Sequence, residues 1–334
     1  MTLHINEGEV RQLLTMPAAI TAVEEVSRKQ ADATVIIHPR RRFELPERGY
    51  FHYMAALDTV EGYVAMKQYT YVKGKLCFLV TLYSTTTGEL LALIEADYLG
   101  RLRTGAASGV ATKYLSKKLA KSAAIIGTVG QARTQLEAIH NVRMLDAVYV
   151  HGRDAERRNK FCDEMSELLS VTCYPMESSA EAVKSAEIIC TATTSPHAVL
   201  RGEDLVPGVH INAIGANHAH KQELDEAAVA RANLLFVDSL AQSNQEAGDL
   251  IIPFAKHPER WAEVRELADL VGGKVPGRTN DVQISLFKSN GIAAWDLAVA
   301  VKVHSLAKEK GLGRELPLFA HGGGKVLDSG QAEP

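Results

Sequence analysis

The stretch SAAIIGTVGQA (residues 122–132) decides the fold. It predicts a short apolar strand that ends at Gly127, followed by a helix that begins at about Gln131. Gly127 permits the tight turn, and the free N–H groups at the start of the helix favour a pyrophosphate. Glycine pairs at such turns also arise for purely steric reasons, so the turn alone leaves both interpretations open.

The segments after residue 132 alternate between short apolar runs and helical stretches. The runs DAVYVH, VTCYP, AEIICTAT, VHINAIG and NLLFVD have the composition of buried strands. Such alternation indicates a parallel sheet with helices on both faces. In this context the glycine turn favours dinucleotide binding over packing alone, and we predict an α/β Rossmann domain over residues 119–292.

The segment before the turn has a different period. Residues 50–96 are rich in tyrosine, valine, leucine and threonine, with a turn at 86–88, which predicts an antiparallel meander. Two helices precede the meander, one after a capping pair at Asn6 and Glu9 and one over about 17–31. We therefore predict an α+β antiparallel-sheet domain ahead of the Rossmann domain.

Two more segments complete the chain. Apolar residues recur at i, i+3 and i+4 from Arg103 onward, which predicts a helix that joins the two domains. The closing segment, 284–311, predicts a strand followed by a long helix. The final residues, GGGKVLDSGQAEP, have the composition of a frayed tail.

Composition and charge exclude several classes of protein. Hydrophobic residues make up 46% and charged residues 23% of the 334 residues, and the formal net charge is -3. These values are ordinary for a globular protein and give no electrostatic support for binding nucleic acid or an acidic membrane. The N-terminus lacks the apolar core of a signal peptide, no apolar run reaches the ~20 residues that span a bilayer, and the four cysteines form no CxxC pair. We therefore expect a soluble, cytoplasmic protein with reduced cysteines and no metal site.

The end of the second strand of the alternating region bears on the choice of cofactor. An NAD enzyme usually has a carboxylate there for the ribose hydroxyls, but this chain has Gly152 followed by Arg153. A guanidinium suits a 2′-phosphate, so NADP(H) is favoured and NAD(H) stays possible. The alternative is that Arg153 is a solvated charge and Asp154 a helix cap.

Several motifs of the chain occur together in one known family. They are RTGAA (103–107), IIGTVGQARTQLEA (125–138), PGVHINAIGA (207–216), KQELD (221–225) and GRTNDVQISLFKSNG (277–291), followed by Asp296. In this order and spacing, the chain resembles the ornithine cyclodeaminase/mu-crystallin family over nearly its whole length. That family includes an archaeal alanine dehydrogenase, ketimine reductases and cyclodeaminases.

The resemblance implies a two-domain enzyme that acts as a homodimer. The last helix would return to the first domain, which then comprises residues 1–118 and 293–334 and serves for substrate binding and dimerisation. The Rossmann domain over 119–292 would bind the dinucleotide, and the active site would lie in the cleft between the domains.

The resemblance places three cationic residues in the substrate pocket: Arg41, Lys67 and Arg103. An α-imino acid carries a carboxylate, for which a guanidinium is a natural bidentate partner. A lysine beside the imine carbon can hydrogen-bond the carboxylate or transfer a proton. Because Arg40 and Arg42 flank Arg41, the register at this arginine stays open.

The resemblance also assigns residues to the cofactor. Thr104 is expected near the phosphates or the nicotinamide, and Thr193 where the chain passes the cofactor. Lys221 and Ser289 are expected near the nicotinamide ribose. The residues of the turn itself are Gly127, Thr128, Val129, Gly130 and Gln131.

Two positions depart from the family pattern. Val129 replaces the second glycine, which lets the backbone approach the pyrophosphate, and Gly130 compensates only if the loop shifts by one residue. Asn217 replaces the aspartate that assists cyclodeaminases, and a neutral amide cannot act as a base, so this catalytic-site position disfavours cyclodeamination. His218 and His220 follow it. Exposure is the simpler interpretation for such loop histidines, and further ligands for a metal are missing.

The sequence thus predicts an NAD(P)H-dependent oxidoreductase, an imine (ketimine) reductase or amino-acid dehydrogenase that transfers hydride to C2 of an α-imino acid. Two alternatives stay open: an ornithine- or lysine-type cyclodeaminase, and a non-catalytic mu-crystallin-like NADP-binding protein. The substrate is open between cyclic ketimines and acyclic imino acids. The arginines beside Arg41 would suit a second acidic group.

Overall fold

The computed structural model describes residues 2–318, and its strands form two sheets. The strands, in chain order, are β1 (Thr2–Ile5), β2 (Val35–Leu45), β3 (Gly49–Asp58), β4 (Tyr63–Val72), β5 (Lys75–Ser84), β6 (Leu90–Glu95), β7 (Ser122–Ile126), β8 (Ala147–His151), β9 (Thr172–Met176), β10 (Ile188–Thr191), β11 (His210–Ala213), β12 (Leu234–Val237), β13 (Val264–Glu266), β14 (Ser285–Lys288) and β15 (Arg314–Leu316). The helices are α1 (Glu7–Leu13), α2 (Met16–Ala31), α3 (Asp97–Leu115), α4 (Gly130–Arg143), α5 (Ala155–Leu169), α6 (Ser179–Val183), α7 (Glu226–Arg231), α8 (Leu240–Glu246), α9 (Gly248–Phe254), α10 (Leu267–Val271) and α11 (Ala293–Lys310).

The second sheet is parallel throughout. Its strand order is β13-β12-β14-β11-β10-β7-β8-β9, and every neighbouring pair runs in the same direction. The central strands β10, β11 and β14 are fully buried, which explains their nearly continuous apolar sequence. The strand order reverses between β7 and β10, and the crevice at such a reversal is where open α/β sheets bind ligands. The prediction of a Rossmann domain is confirmed.

The first sheet has the order β15-β1-β6-β5-β4-β3-β2. Its strands pair antiparallel, except that β1 runs parallel to β6. The predicted meander is confirmed over β3 to β6. Strand β1 was missed because it has only four residues, too few for a readable period of two, and β2 begins earlier than the predicted start at residue 50.

The helix ends follow their capping residues. The Asn6 side chain accepts from the backbone N–H of Glu9 and Glu9 reciprocates, so the predicted capping box is confirmed. Helix α3 begins at Asp97, six residues before the predicted start, and the buried Leu99 and Leu102 extend its apolar face back to the first turn. Helix α11 packs against the first sheet and buries Trp295 and Val299. The predicted frayed tail lies outside the described residues.

Helices α3 and α4 pack side by side and run in the same direction. A Cβ at Gly105 would overlap the carbonyl oxygen of Thr134, so only glycine allows the two helices to approach this closely. One turn further on, a Cβ at Gly109 would lie 3.3 Å from the Cβ of Ala138. This packing brings the first turn of α3 next to the first turn of α4, at the crevice of the parallel sheet.

Candidate active site

Two neighbouring cavities open at this crevice and share Val129, Thr193 and Thr194 in their walls. The first, of about 420 Å³, lies between the first sheet, α3 and the loops that follow β7, β10, β11 and β14. The second, of about 670 Å³, lies at the carboxyl ends of β7 and β8. Residues from both sheets therefore face a common space.

Three buried charged side chains meet at the first cavity. Lys67 comes from β4, Arg103 from α3 and Asp296 from the first turn of α11. Lys67 Nζ lies 2.9 Å from Asp296 Oδ1, and Arg103 Nε donates to the same oxygen at 3.0 Å. Arg103 Nη1 and Asp296 Oδ2 are buried and have no hydrogen-bond partner among the described residues. Arg103 lines the first cavity and uses only Nε for Asp296, so its guanidinium is a candidate partner for a ligand carboxylate.

The charges of this group depend on burial and on each other. Burial is the largest influence on Lys67 and lowers its pKa to about 8, although Asp296 opposes that shift. Burial raises the pKa of Asp296, but Arg103 and Lys67 outweigh it, and the net pKa lies below the usual value. At neutral pH the carboxylate is therefore ionised, while Lys67 holds a proton that it loses readily. That state suits proton transfer near neutral pH.

Gly100 makes room for the Lys67 ammonium. A Cβ built on Gly100, which lies one turn before Thr104 in α3, would sit 2.6 Å from Lys67 Nζ. No local pattern singles out Gly100, because its role depends on a side chain from a distant strand.

We expect Gly100→Ala to reduce kcat/KM by roughly tenfold or more without loss of stability. The added methyl group would push away the flexible end of Lys67, and a displacement of about 1 Å can cost ~100-fold in rate. Alanine also favours a helix interior over glycine by about 1 kcal/mol. Thermal unfolding and steady-state kinetics of the same preparation check this. Unchanged kinetics would show that Lys67 does not depend on this space.

Strand β2 supplies Arg40 to the cavity wall, and Arg41 is exposed. This corrects the placement predicted for Arg41. Regular alternation would put Val35, Ile37 and Arg41 on one face, but the register of β2 shifts between His38 and Arg41. A β-bulge of this kind moves the following residues to the opposite face, and Pro39, within the shifted stretch, is its local signal in the sequence.

The charge of Arg40 is already engaged by protein groups. Its Nη1 lies 2.6 Å from Glu246 Oε2, and its Nη2 donates to the carbonyl oxygen of Asn290 at 2.9 Å. Arg42, the other arginine beside Arg41, is paired with Glu44 at the surface. Neither arginine is therefore free to bind a second acidic group, contrary to the suggestion from the sequence.

The wall formed by β3, β4 and β5 is aromatic and apolar. The ring of Tyr69 lies 4.9 Å from that of Phe78 and 6.4 Å from that of Tyr50. The Tyr69 hydroxyl is hydrogen-bonded to His52 Nδ1 at 2.5 Å. Burial lowers the pKa of His52 to about 4, so this histidine is neutral. Together with Met54, these rings give the cavity a surface suited to an apolar or ring-shaped group.

Two buried carboxylates hold the loops of the parallel sheet in place. Glu223 accepts from the backbone N–H groups of Thr193 and Gly215, at 2.6 and 2.7 Å. Asp238 accepts from Ser289 Oγ at 3.2 Å and from the backbone N–H groups of Asn290 and Gly291. Thr193, Ser289 and Asn217 line the first cavity, as does Thr104. Sequence reasoning assigned no function to Glu223 or Asp238.

The turn after β7 has the geometry of a phosphate-binding turn. Gly127 has φ +111, and a Cβ there would overlap the carbonyl oxygen of Ala192, so glycine is required. Val129 is extended, with φ -93 and ψ 178, and its backbone needs no glycine. Helix α4 begins at Gly130 without a side-chain cap, which leaves its first N–H groups available to an anion. Gln131 and Gly130 line the first cavity, and Thr128 lines the second.

The second cavity is lined by three arginines. Arg157 is paired with Asp154 and Arg201 with Glu203, whereas Arg153 has no ion-pair partner among residues 2–318. Asp154 does cap α5, as the alternative interpretation held. Lys221 lines neither cavity, in contrast to its expected place beside the cofactor.

The backbone of Lys221 packs against the start of α9. A Cβ at Gly248 would overlap the Lys221 carbonyl oxygen.

The rings of His218 and His220 lie 5.5 Å apart, and burial lowers the pKa of His218 to about 4. Within residues 2–318 there is no group of three or more potential metal-ligating side chains. No helix in that part of the chain is long and apolar enough to cross a bilayer.

The chain is similar to known proteins in both sequence and fold. The model of the ornithine cyclodeaminase/mu-crystallin family matches residues 3–311. Delta(1)-pyrroline-2-carboxylate reductase of Bacillus cereus is 38% identical over 239 residues, which are 71% of this chain and 73% of that protein. The structure of Thermococcus litoralis Delta(1)-pyrroline-2-carboxylate reductase in complex with NADH and L-proline has a TM-score of 0.90 at 32% identity, covering 94% of this chain and 100% of that one. An archaeal alanine dehydrogenase dimer with bound NAD has a TM-score of 0.89 at 32% identity, covering 95% and 99%.

Proposed function

The chain belongs to the ornithine cyclodeaminase/mu-crystallin family, and we propose that it is a nicotinamide-dinucleotide-dependent reductase of α-imino acids. The observation that carries this proposal is the buried Lys67–Asp296–Arg103 group on the wall of a cavity next to the glycine turn. A protein that only bound a dinucleotide would have no need of two buried cations in the adjoining cavity. The reverse reaction, oxidation of the amino acid, uses the same residues.

The side chains have distinct roles in this proposal. The Arg103 guanidinium, which lines the cavity and gives only its Nε to Asp296, holds the substrate carboxylate. Lys67 donates a hydrogen bond or a proton to the substrate, and Asp296 orients both cations through one oxygen. The reduced cofactor, when bound, supplies the hydride that reaches C2 of the imino acid.

The cavity favours a cyclic or apolar imino acid over one with two carboxylates. Tyr69 and Phe78 offer ring faces to the substrate, and Arg40, the arginine that β2 contributes to this wall, is engaged by Glu246. A second carboxylate at Arg40 would have to compete with Glu246. We therefore propose a five- or six-membered cyclic ketimine carboxylate as the substrate class.

Loss of reduced-cofactor absorbance tests the proposed function. The purified protein receives NADPH or NADH with Δ1-pyrroline-2-carboxylate, its six-membered homologue, or 2-oxo acids with ammonia. We expect turnover with a cyclic ketimine and far less with oxaloacetate plus ammonia. Turnover of ornithine with NAD+ alone would instead establish a cyclodeaminase, which the neutral Asn217 in the cavity disfavours. No turnover from folded protein would refute the proposal.

We also propose that NADP(H) is preferred. Arg153 lines the second cavity and is free of ion pairs among the described residues, so it can meet a 2′-phosphate. A Cβ at Gly152 would lie 3.0 Å from the Thr128 side chain, which leaves little room for the acidic side chain that NAD enzymes carry nearby. The alternative is NAD(H), which the two solved structures compared above contain.

We expect Arg153→Ala to raise the KM for NADPH by roughly tenfold, because a charge-assisted hydrogen bond to phosphate is lost, and to leave the KM for NADH nearly unchanged. Lys160→Ala is the matched control, since Lys160 is a similarly exposed cation of α5 outside the cavity. Steady-state kinetics with each cofactor measure both effects. Equal changes for NADPH and NADH would contradict a role for Arg153 in recognising the 2′-phosphate.

Finally, we propose a homodimer that uses the outer face of the first sheet. Phe43 is 57% exposed and its ring lies 6.4 Å from that of Phe51 and 5.9 Å from that of Tyr53. Ile36, on the same strand, is also exposed. Exposed apolar and aromatic side chains on one sheet face typically mark an interface between subunits.

A further inference from the structure

Helix α3 presents a second arginine to the start of α4. Arg101 lies one turn before Gly105, and Gly130 lies one turn before Thr134, so the close packing of these helices sets Arg101 beside Gly130. A Cβ at Gly130 would lie 3.6 Å from Arg101 Nη1. The guanidinium therefore faces the first residue of the helix that follows the glycine turn.

Asp97 fixes the direction of this guanidinium. Arg101 Nε donates to Asp97 Oδ1 at 3.2 Å, and Nη2 donates to the other carboxylate oxygen at 2.5 Å. Both contacts use one edge of the guanidinium, and Nη1, on the other edge, makes no hydrogen bond to the described residues. The Arg101 side chain is 41% exposed and lines the first cavity together with Asp97. A ligand in the cavity can thus reach the two free N–H groups of Arg101 Nη1.

The surroundings of Nη1 are suited to an anion. Helix α4 has 14 residues and no side-chain cap, so its first N–H groups and the positive end of its dipole point toward the same space as Arg101. Val129 stands where a second glycine would let the backbone approach a pyrophosphate more closely. An arginine from α3 can supply the contacts that such a backbone approach would otherwise provide.

We infer that Arg101 binds the pyrophosphate of the nicotinamide cofactor, and that Asp97 positions it. This inference rests on the proposed dinucleotide-dependent function. It extends the cofactor site beyond the turn to a residue of α3. It also explains how a turn with valine in place of glycine can keep its affinity for a dinucleotide.

The test compares Arg101→Gln with Arg133→Gln in direct binding measurements by isothermal titration calorimetry. Arg133 is a matched control, because its side chain is also 41% exposed and is paired with one carboxylate, Glu164, but it lines neither cavity. The ligands are NADPH, NADH, ADP-ribose and AMP. We expect Arg101→Gln to raise the Kd for both dinucleotides and for ADP-ribose by roughly 10- to 100-fold, since charged hydrogen bonds are lost. AMP, which lacks the pyrophosphate, should lose much less affinity.

Two other results would overturn the inference. If Arg101→Gln and Arg133→Gln bind the dinucleotides equally well, Arg101 does not contact the cofactor. If Arg101→Gln raises only the KM for the imino acid, Arg101 binds the substrate carboxylate instead. The proposed function has a separate test, because wild-type protein that binds dinucleotide but reduces no imine would refute the reductase and still allow the Arg101 comparison.

Discussion

Lys67→Met is expected to lower kcat/KM for imine reduction by roughly 10²- to 10⁴-fold, the usual contribution of a positioned proton donor. Methionine is close to lysine in volume and is apolar, so it fills the buried site without leaving a cavity. It removes the ammonium that lies 2.9 Å from Asp296 and faces the substrate cavity. Cofactor affinity should change little, which separates this effect from damage to the dinucleotide site. Turnover near that of the wild type would exclude Lys67 from the chemistry.

The pH profile identifies the titrating group. Burial lowers the pKa of Lys67 to about 8, so its charged form dominates below that pH and is lost above it. If the ammonium is needed, kcat/KM for reduction is constant below pH 8 and falls as the pH rises further. Lys67→Arg keeps a cation that does not titrate in this range, and this inflection should vanish in that variant at a lower overall rate. An inflection that persists in Lys67→Arg belongs to the substrate or another residue.

Asp296→Asn is expected to cost about 3–5 kcal/mol in the free energy of unfolding, because it leaves two buried cations without their shared counter-charge. Asp296 is 1% exposed and bonds both Lys67 and Arg103 through one oxygen. Denaturant unfolding measures the loss. The surface variant Asp146→Asn, which breaks the exposed pair with Lys121, should cost less than about 1 kcal/mol.

A second readout separates electrostatics from packing. Asp296 raises the pKa of Lys67, so Asp296→Asn should shift the inflection in kcat/KM to lower pH. The double variant Lys67→Met/Asp296→Asn has one unpaired cation fewer and should be more stable than Asp296→Asn alone. A double variant that is less stable by the sum of both single effects would show that the charges do not interact.

Low pH should abolish the contribution of the Asp296 carboxylate to the stability of the fold. The pKa of Asp296 is lower in the folded chain than its usual value near 3.8. Its stabilising effect is therefore fully present above that value and is lost as the pH falls through the folded pKa. The difference in stability between the wild type and Asp296→Asn should shrink below about pH 4.

The sequence was sufficient for the features that are encoded locally. The apolar strand, Gly127 and the helix that follows belong to one continuous stretch, and each follows from the backbone freedom and period of its own residues. The alternation of strands and helices after it predicted the parallel sheet for the same reason. Element bounds were less certain: β1 was too short to show a period, and the prediction for α3 left out Leu99 and Leu102, which continue its apolar face toward Asp97.

Local sequence does not indicate that Arg40 is the arginine of β2 that faces the cavity. Three successive arginines give no indication of which one faces inward, and the choice depends on a single register shift between β2 and β3. That shift arises from pairing with a second strand, so residues of β2 alone do not fix where it falls. The free charge that the sequence suggested for a second acidic group is neutralised by Glu246, more than 200 residues away.

By itself, the sequence determined the two-part α/β and α+β fold and the glycine turn, because periodicity and glycine conformation are properties of neighbouring residues. The resemblance to a family added Lys67 and Arg103 as candidates. Only the tertiary structure decided how they act. Asp296 lies 229 positions after Lys67 and 193 positions after Arg103, and it bonds both of them. Gly100 leaves space for the Lys67 ammonium. Such contacts are set by how distant segments pack, and burial in that packing gives Lys67 its lowered pKa and Arg103 its unpartnered donor.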